Sequence, residues 1–463
     1  MQTLPSDSGS GLVLAPFRGI RYARDRVSGI ANVTSPPYDV ITDGILDHLR
    51  AADPHNVVRL ILPGQDAGAS EAAASLLREW LSAGVLIRDR TPALYLYEQS
   101  HGWHPPDRHS LAEYRPDGPG DAASWLQRGI VALVRLGSPE SAAILPHEAV
   151  MPGLVAGRRE LMEATQANLE PIFLIYDGDD VRDGDADTAT DVIDRVAAER
   201  APLVTITTED EVTHRLWRLG DPREQAAIAT DLARRRALIA DGHHRYAAYM
   251  GMQADMRASG QGAGPWDYGL AFLVDSAAYP PRLGAIHRVL PGLPPERAAE
   301  LAKAAFTVQD LPAGLGLDDA QRRLAAAGQE GTAFLLAGGP GFRLVSHPDP
   351  VQVAASMPAG VSGSWRSLDA SVLQQLLIGR LWGITDSEGD VLIDHDAGDA
   401  VRAVSCDPGA SAPGGTTVIS NPVSFHDVIE IAARGERVPR KSTSFGPKPR
   451  TGLVLRTFGP GDS

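Results

Sequence analysis

The sequence predicts a mixed α/β (α+β) protein, and three observations carry that prediction. Apolar runs of strand length recur along all 463 residues. Segments with helical apolar spacing lie between them. Gly and Pro, 47 and 35 in number, are scattered as punctuation and form no periodic or low-complexity tract. A chain of this length allows about two or three domains, each able to bury its own core.

Residues 1–12 read as a flexible leader. Strands joined by turn-rich loops are expected over 12–22 and 56–62 (NVVRLIL), with the turn sequence SPPYDVI at 35–41 between them. Ala73, Leu76, Leu77, Trp80 and Leu81 recur at helical spacing within 70–82, and Gly84 follows as a stop. ALYLYEQ (93–99) alternates like a strand, and the polar stretch 101–123 reads as a long loop insertion. Strands are then expected over 129–136, 171–177, 203–207, 212–219, 269–275 and 283–290, with helices over 160–169 and 224–234 and an acidic break at 179–187. Beyond 291 come helices over 295–306 and 318–327 and a hairpin over 332–346, its turn at GGPGF. These readings divide the chain into an N-terminal block (13–125), a core (126–290) and a C-terminal α/β block (291–463).

Charge and cysteine content exclude several function classes. Asp and Glu number 58 against 43 Lys and Arg, a formal charge of −15, which opposes general binding to nucleic acid or anionic membranes. The single cysteine, Cys406, cannot form an internal disulfide, a CxxC pair or a thiolate zinc cage, and nothing around it marks it as catalytic. No run of 18 apolar residues and no basic leader occurs, so a cytoplasmic location is expected. Residues 434–456 run against the trend, with seven Lys or Arg and one Glu. Such a concentration suits an anionic ligand.

The sharpest local signal is ALIADGHHRY, where an apolar strand ends at Asp241-Gly242 and a helix begins at His243-His244-Arg245. A helix start turns free N–H groups outward and favours anions. Gly242 permits the close turn, His243, His244 and Arg245 are donors to phosphate oxygens, and Asp241 is a metal ligand or orients an imidazole; the bland alternative is an ordinary capped helix start. In AAILPHEAVMPG, apolar neighbours around Glu148 would desolvate its carboxylate and suit it to general-base work, against the alternative of an exposed loop acid. Arg440, Lys441, Ser442, Thr443 and Lys448 share a Pro- and Gly-bounded loop. Lys441-Ser442 is not preceded by GxxxxG, so no P-loop is formed, and a simple cationic surface loop is the competing reading. His101, His104 and His109 could ligate a metal or belong to a solvated insertion.

Taken in order, PPYDVI (36–41), PHE (146–148), NLEPIF (168–173), ADGHHRY (240–246), Ile-His-Arg (286–288) and the terminal KST-F-PK-GLV (441–454) resemble the family known as domain of unknown function 1015. The match runs from about residue 16 to 455. More distantly, PHE, DGHHR and the KST segment resemble the archaeal free-serine kinase of the ParB/sulfiredoxin-like fold. That resemblance implies a ParB/sulfiredoxin-like core over 126–290 and ATP or ADP with Mg²⁺ as cofactors. It implies that Glu148 takes the proton of serine's hydroxyl, that Asp241, His243, His244 and Arg245 hold nucleotide phosphates and Mg²⁺, and that Lys441, Ser442 and Thr443 close over the substrate or the nucleotide phosphate. Arg440 stands where the related segment has proline, Glu148 and Asp241 are 93 residues apart, and the N-terminal block is additional.

Within the same superfamily, sulfiredoxin chemistry needs a cysteine where this chain has His243. ParB-type DNA segregation is disfavoured by DGHHR and the acidic charge. The expectation is therefore a nucleotide-dependent phosphotransferase on a small hydroxyl metabolite, first of all free L-serine, with a non-catalytic nucleotide sensor and a phosphohydrolase as alternatives. Tyr38, Asp39, Asn168, His287 and Arg288 sit in family motifs but read equally as turn, cap or core polar groups.

Overall fold

The computed structural model describes residues 11–64, 66–102, 124–137, 143–179, 187–385, 390–404 and 414–458. His104, His109, Cys406 and most of the acidic break lie outside them. The chain forms two compact units: Met1–Leu145, Val150–Pro281 and Pro447–Ser463 make the first, Pro146–Ala149 and Arg282–Gly446 the second.

The first unit is built on a mixed sheet whose described strands are β1 (Leu14–Ala15), β2 (Leu94–His101), β3 (Trp125–Arg135), β4 (Ile144–Leu145), β5 (Ile172–Tyr176), β6 (Val204–Thr207), β7 (Val212–Leu219), β8 (Ala237–Asp241) and β9 (Tyr268–Asp275). Their order is β4-β8-β5-β9-β3-β2-β7-β6, with β1 beside β3. β8 runs parallel to β4 and β9 parallel to β5, while the other pairings are antiparallel. β5 and β8 are buried at every position, as continuous apolar strands flanked on both sides must be. Against this sheet pack Val192, Ile193 and Val196 of α3 (Ala189–Glu199), Ile228 and Leu232 of α4 (Pro222–Leu232), and Ala248, Tyr249 and Met252 of α5 (His243–Ala258). Thr188 and Asp191 close a capping box on α3, and Pro222 follows the Asp221 cap of α4. A smaller core gathers Ala73, Leu77 and Trp80 of α1 (Ala69–Ser82) with Leu161 of α2 (Pro152–Thr165) and Leu455.

Several expectations shift here. The anticipated strand 56–62 is a short helix, Val58–Ile61, started by Asn56, whose Oδ1 accepts the Val58 N–H at 2.9 Å. A short run of buried apolar residues has no period that separates strand from helix. The helix expected at 160–169 begins earlier, at Pro152, and ends at Thr165. Leu12 does not belong to a loose leader, because it is buried and its N–H donates to the carbonyls of Leu232 and Arg235. The block boundary at 125/126 cuts into β3, which pairs with β2 in one sheet, and residues 447–463 rejoin the first unit.

The second unit holds an antiparallel sheet of β10 (His287–Leu290), β11 (Thr307–Asp310), β12 (Ala333–Ala337), β13 (Arg343–Ser346), β14 (Leu392–Asp394) and β15 (Thr416–Ser420), in the order β11-β13-β12-β15-β10-β14. β12 and β13 are the expected hairpin, with Ala333 opposite Ser346. Leu290, Phe334, Leu336, Val345 and Val418 pack with Leu373, Leu376 and Leu377 in its main core. Separately, Arg282–Gly284 pairs with Ser444–Gly446. Among the described residues no helix is long and apolar enough to cross a membrane.

Candidate functional site

The family motifs collect in two places, one in each unit. In the first unit, β8 shifts register through a bulge between Ile239 and Asp241, and Gly242 then turns the chain into α5 with φ +92°. Glycine is required there twice. The positive φ is costly for other residues, and a Cβ would lie 3.0 Å from Arg245 Nε. No side chain at Gly242 caps α5, so the positive end of the helix dipole faces the turn.

Around that turn stands a charged cluster. Lys448 Nζ donates to Asp241 Oδ1 at 2.7 Å and also to Asp39. Arg245 donates to the other Asp241 oxygen, and its Nη1 reaches the Pro171 carbonyl at 2.5 Å. Tyr38 lies beneath two guanidinium groups, Arg158 at 4.2 Å and Arg245 at 5.8 Å from its ring centre. Glu170 accepts from the Tyr38 N–H at 3.1 Å and from Thr451 Oγ1 at 3.2 Å. PPYDVI, NLEPIF, DGHHR and the segment after Pro447 thus form one constellation.

Its electrostatics are nearly closed. Burial pushes the Glu170 carboxyl upward against the pull of Arg245 and Arg158, and it likewise raises the Tyr38 phenol. For Asp39 burial acts upward, but Lys448 and Arg245 outweigh it and hold the carboxyl below its ordinary value. Lys448 is raised, because Asp241 and Asp39 together overcome its desolvation.

These contacts change the expected roles. Arg245, expected as a phosphate donor, is buried and spent on Asp241, Pro171 and Tyr38. Asp241, expected as a metal ligand, has both oxygens taken by cations. His243 is buried at the first position of α5, and His244 is half-buried. His244 Nε2 accepts the Met151 N–H at 3.1 Å, which leaves any proton of a neutral ring on Nδ1. Lys448, ion-paired with Asp39 and Asp241 beside the turn, was placed by sequence reasoning only in a basic loop. Arg158 and Glu170 were missed altogether. Glu170 sits inside NLEPIF, where a carboxylate between apolar residues was the available signal.

In the second unit PHE, Ile-His-Arg and KST meet. His147 is fully buried, and its Nε2 lies 2.8 Å from Thr443 Oγ1. Its ring packs edge-on to Phe445 with centres 5.6 Å apart, and its carbonyl accepts the Val438 N–H at 2.9 Å. Half-buried Glu148 accepts the Lys441 N–H at 3.0 Å through Oε1. Ser442 is buried and donates to the Pro439 carbonyl at 2.5 Å. Lys441 has φ +52°, left-handed backbone that a lysine adopts only where its surroundings impose it. Arg288 supplies part of that restraint by donating to the carbonyls of Arg440 at 3.1 Å and Lys441 at 2.9 Å. His287 lies next to it; burial lowers its imidazole, and its Nδ1 accepts the Ser420 N–H at 3.4 Å. Among the described residues, no group of three or more His, Cys, Asp or Glu side chains is arranged to hold a metal ion.

The fold and these two constellations define a mixed α/β protein with a glycine-opened helix start beside a lysine in one unit and a fixed carboxylate in the other. The chain belongs to the family described as "Protein of unknown function (DUF1015)", which matches residues 14–371. No curated protein sequence matches it. Among solved structures, it is similar to a C-terminally truncated SbnI from Staphylococcus aureus at 12% identity, covering 68% of this chain and 82% of that one, with a TM-score of 0.32. A free serine kinase in complex with AMP is similar at 14% identity, with 66% and 84% covered and a TM-score of 0.31. A conserved hypothetical protein from Pyrococcus furiosus gives 14% identity, 67% and 90% coverage, and a TM-score of 0.31.

Proposed function

We propose that the protein is a nucleotide-dependent phosphotransferase acting on a small hydroxyl metabolite, with free L-serine as the first acceptor to test and ATP or ADP as donor. The observation that carries this reading is the Gly242 turn, where an uncapped helix start lies beside the Lys448 ammonium. Backbone N–H groups and a cation together are what a phosphate chain requires. The motif resemblance to free-serine kinases and the carboxylate of Glu148 supply the rest, and the ParB/sulfiredoxin-like assignment of the core rests on the same motifs.

In this reading the donor's phosphates bind at the Gly242 turn, His243 and His244 contribute imidazole donors, and Lys448, held between Asp39 and Asp241, adds positive charge beside the phosphate oxygens. Glu148 takes the proton of the acceptor hydroxyl as the hydroxyl oxygen forms its bond to the terminal phosphorus. The bond from that phosphorus to the bridging oxygen breaks, and ADP leaves from ATP, or AMP from ADP. Such a transfer depends chiefly on positioning and charge neutralisation. Lys441, Ser442 and Thr443 order the substrate loop.

Mg²⁺ binds hard oxygen donors, which Asp39 and Asp241 provide. Lys448 and Arg245 already neutralise them, however, so these residues do not fit a resident metal. No step is assigned to it.

Glu148→Gln should lower turnover by about 10²–10⁴-fold, the usual worth of a general base, with nucleotide affinity preserved. The assay is transfer of labelled terminal phosphate from ATP or ADP across an amino-acid panel. Wild-type turnover in this variant would refute the assignment. Tight nucleotide binding without transfer would indicate a sensor, and phosphate release from O-phosphoserine a hydrolase.

A further inference from the structure

We propose that Arg288 is a positioning residue for Glu148, acting through the backbone of Lys441; the inference rests on the phosphotransferase reading above. Arg288 is buried in β10, with Ile393 of β14 opposite it on one side and Val418 of β15 on the other. Its backbone is therefore held by neighbours on both edges. From that fixed base its Nη2 donates to two successive carbonyls, Arg440 at 3.1 Å and Lys441 at 2.9 Å. The peptide N–H of the same Lys441 donates to Glu148 Oε1 at 3.0 Å.

Lys441 is thus gripped from both ends. Its carbonyl is drawn to the guanidinium and its N–H to the carboxylate, and the φ of +52° is the conformation that satisfies both. Strained backbone of this kind persists only where the surroundings over-determine it. One carboxylate oxygen of Glu148 is fixed by a main-chain donor, which sets the direction in which the carboxylate faces. Nearby, His147 holds Thr443 and Pro439 holds Ser442, so the loop's side chains are ordered together with its backbone. Losing Arg288 frees the Lys441 peptide to relax out of positive φ, which moves the N–H that aims Glu148. The buried guanidinium therefore acts on catalysis without touching substrate.

The test uses the full chain with Arg288→Ala and Arg288→Lys, read in two ways. Hydrogen exchange at the Lys441 amide should accelerate at least ~10-fold in Arg288→Ala while β12 and β15 keep wild-type protection. Turnover should fall about 10- to 100-fold, the scale of a small misplacement of a reacting group, with nucleotide Kd unchanged within about 2-fold. Arg288→Lys should recover part of both effects. The Glu148→Gln, Arg288→Ala double variant should be no slower than Glu148→Gln alone, since both changes remove one device. Unchanged exchange at Lys441, or wild-type kcat in Arg288→Ala, would overturn the proposal. If the wild-type protein transfers no phosphate to any acceptor, the phosphotransferase reading fails, and the exchange measurement still decides whether Arg288 restrains the loop.

Discussion

Lys448→Met tests the first unit's cluster most directly, because it deletes a charge while keeping most of the side chain's length. Lys448 bridges Asp39 and Asp241, with side-chain exposures of 22%, 30% and 10%. Breaking a fully buried pair by removing one partner costs about 3–5 kcal/mol, whereas an exposed pair contributes about 0–1 kcal/mol. The cluster lies between these limits and Arg245 still neutralises Asp241, so the expected loss is about 2 kcal/mol. At ~2 °C per kcal/mol for a large unit, that lowers its melting transition by about 4 °C.

The pH dependence is more diagnostic. Asp39 sits below its ordinary 3.8, so its contribution is present above that value and is lost as pH falls through the lowered one. Lys448 sits above its ordinary 10.5, so its contribution is complete below 10.5 and disappears as pH rises through the raised value. The stability gap between wild type and variant should therefore be flat from about pH 5 to 9 and close at both ends. Urea unfolding across pH measures it. A variant equal to wild type at pH 7, or a gap that ignores pH, would refute the charge-cluster argument.

Two further outcomes follow from buried groups in the same unit. Gly242→Ala should lower stability by about 1–2 kcal/mol, the cost of a non-glycine residue at positive φ, and weaken nucleotide binding; an unchanged urea midpoint would remove the case for glycine there. His214 is pushed to about 3 by burial and by Arg450, and its ring lies between the Tyr97 hydroxyl at 2.8 Å and Thr208 Oγ1 at 3.3 Å. Its NMR signals should not titrate between pH 8 and 5. Because the unfolded chain binds a proton there first, this group's contribution should fall as pH drops from about 6.5 toward 3, and a titration midpoint near 6.5 would contradict the burial.

Much of the scaffold was legible because strongly patterned elements carry their own signal. The strand at 212–219 and the hairpin at 332–346 are set by alternation and turn residues, and the helix over 70–82 by its apolar stripe. NVVRLIL was not legible, since a short buried apolar run has no period to distinguish helix from strand, and Asn56 decided it by a local hydrogen bond. Of the candidate residues, DGHHR announced a strand-to-helix turn, but not that Arg245 would be turned inward by Asp241 and Pro171.

The sequence by itself determined the alternation of strands and helices, the glycine turn into a helix at Gly242 and the family, because each is written in contiguous residues. Tertiary structure alone decided which motifs assemble. It brought Asp39, Lys448 and Asp241 together across some 400 residues and set Arg288 behind Lys441 in the other unit. It also parted the terminal motif between 446 and 447, sending KST to one unit and Lys448 to the other. The physical reason is that a buried charge is tolerated only where partners converge on it, and that convergence is set by how strands pair, which no local pattern encodes.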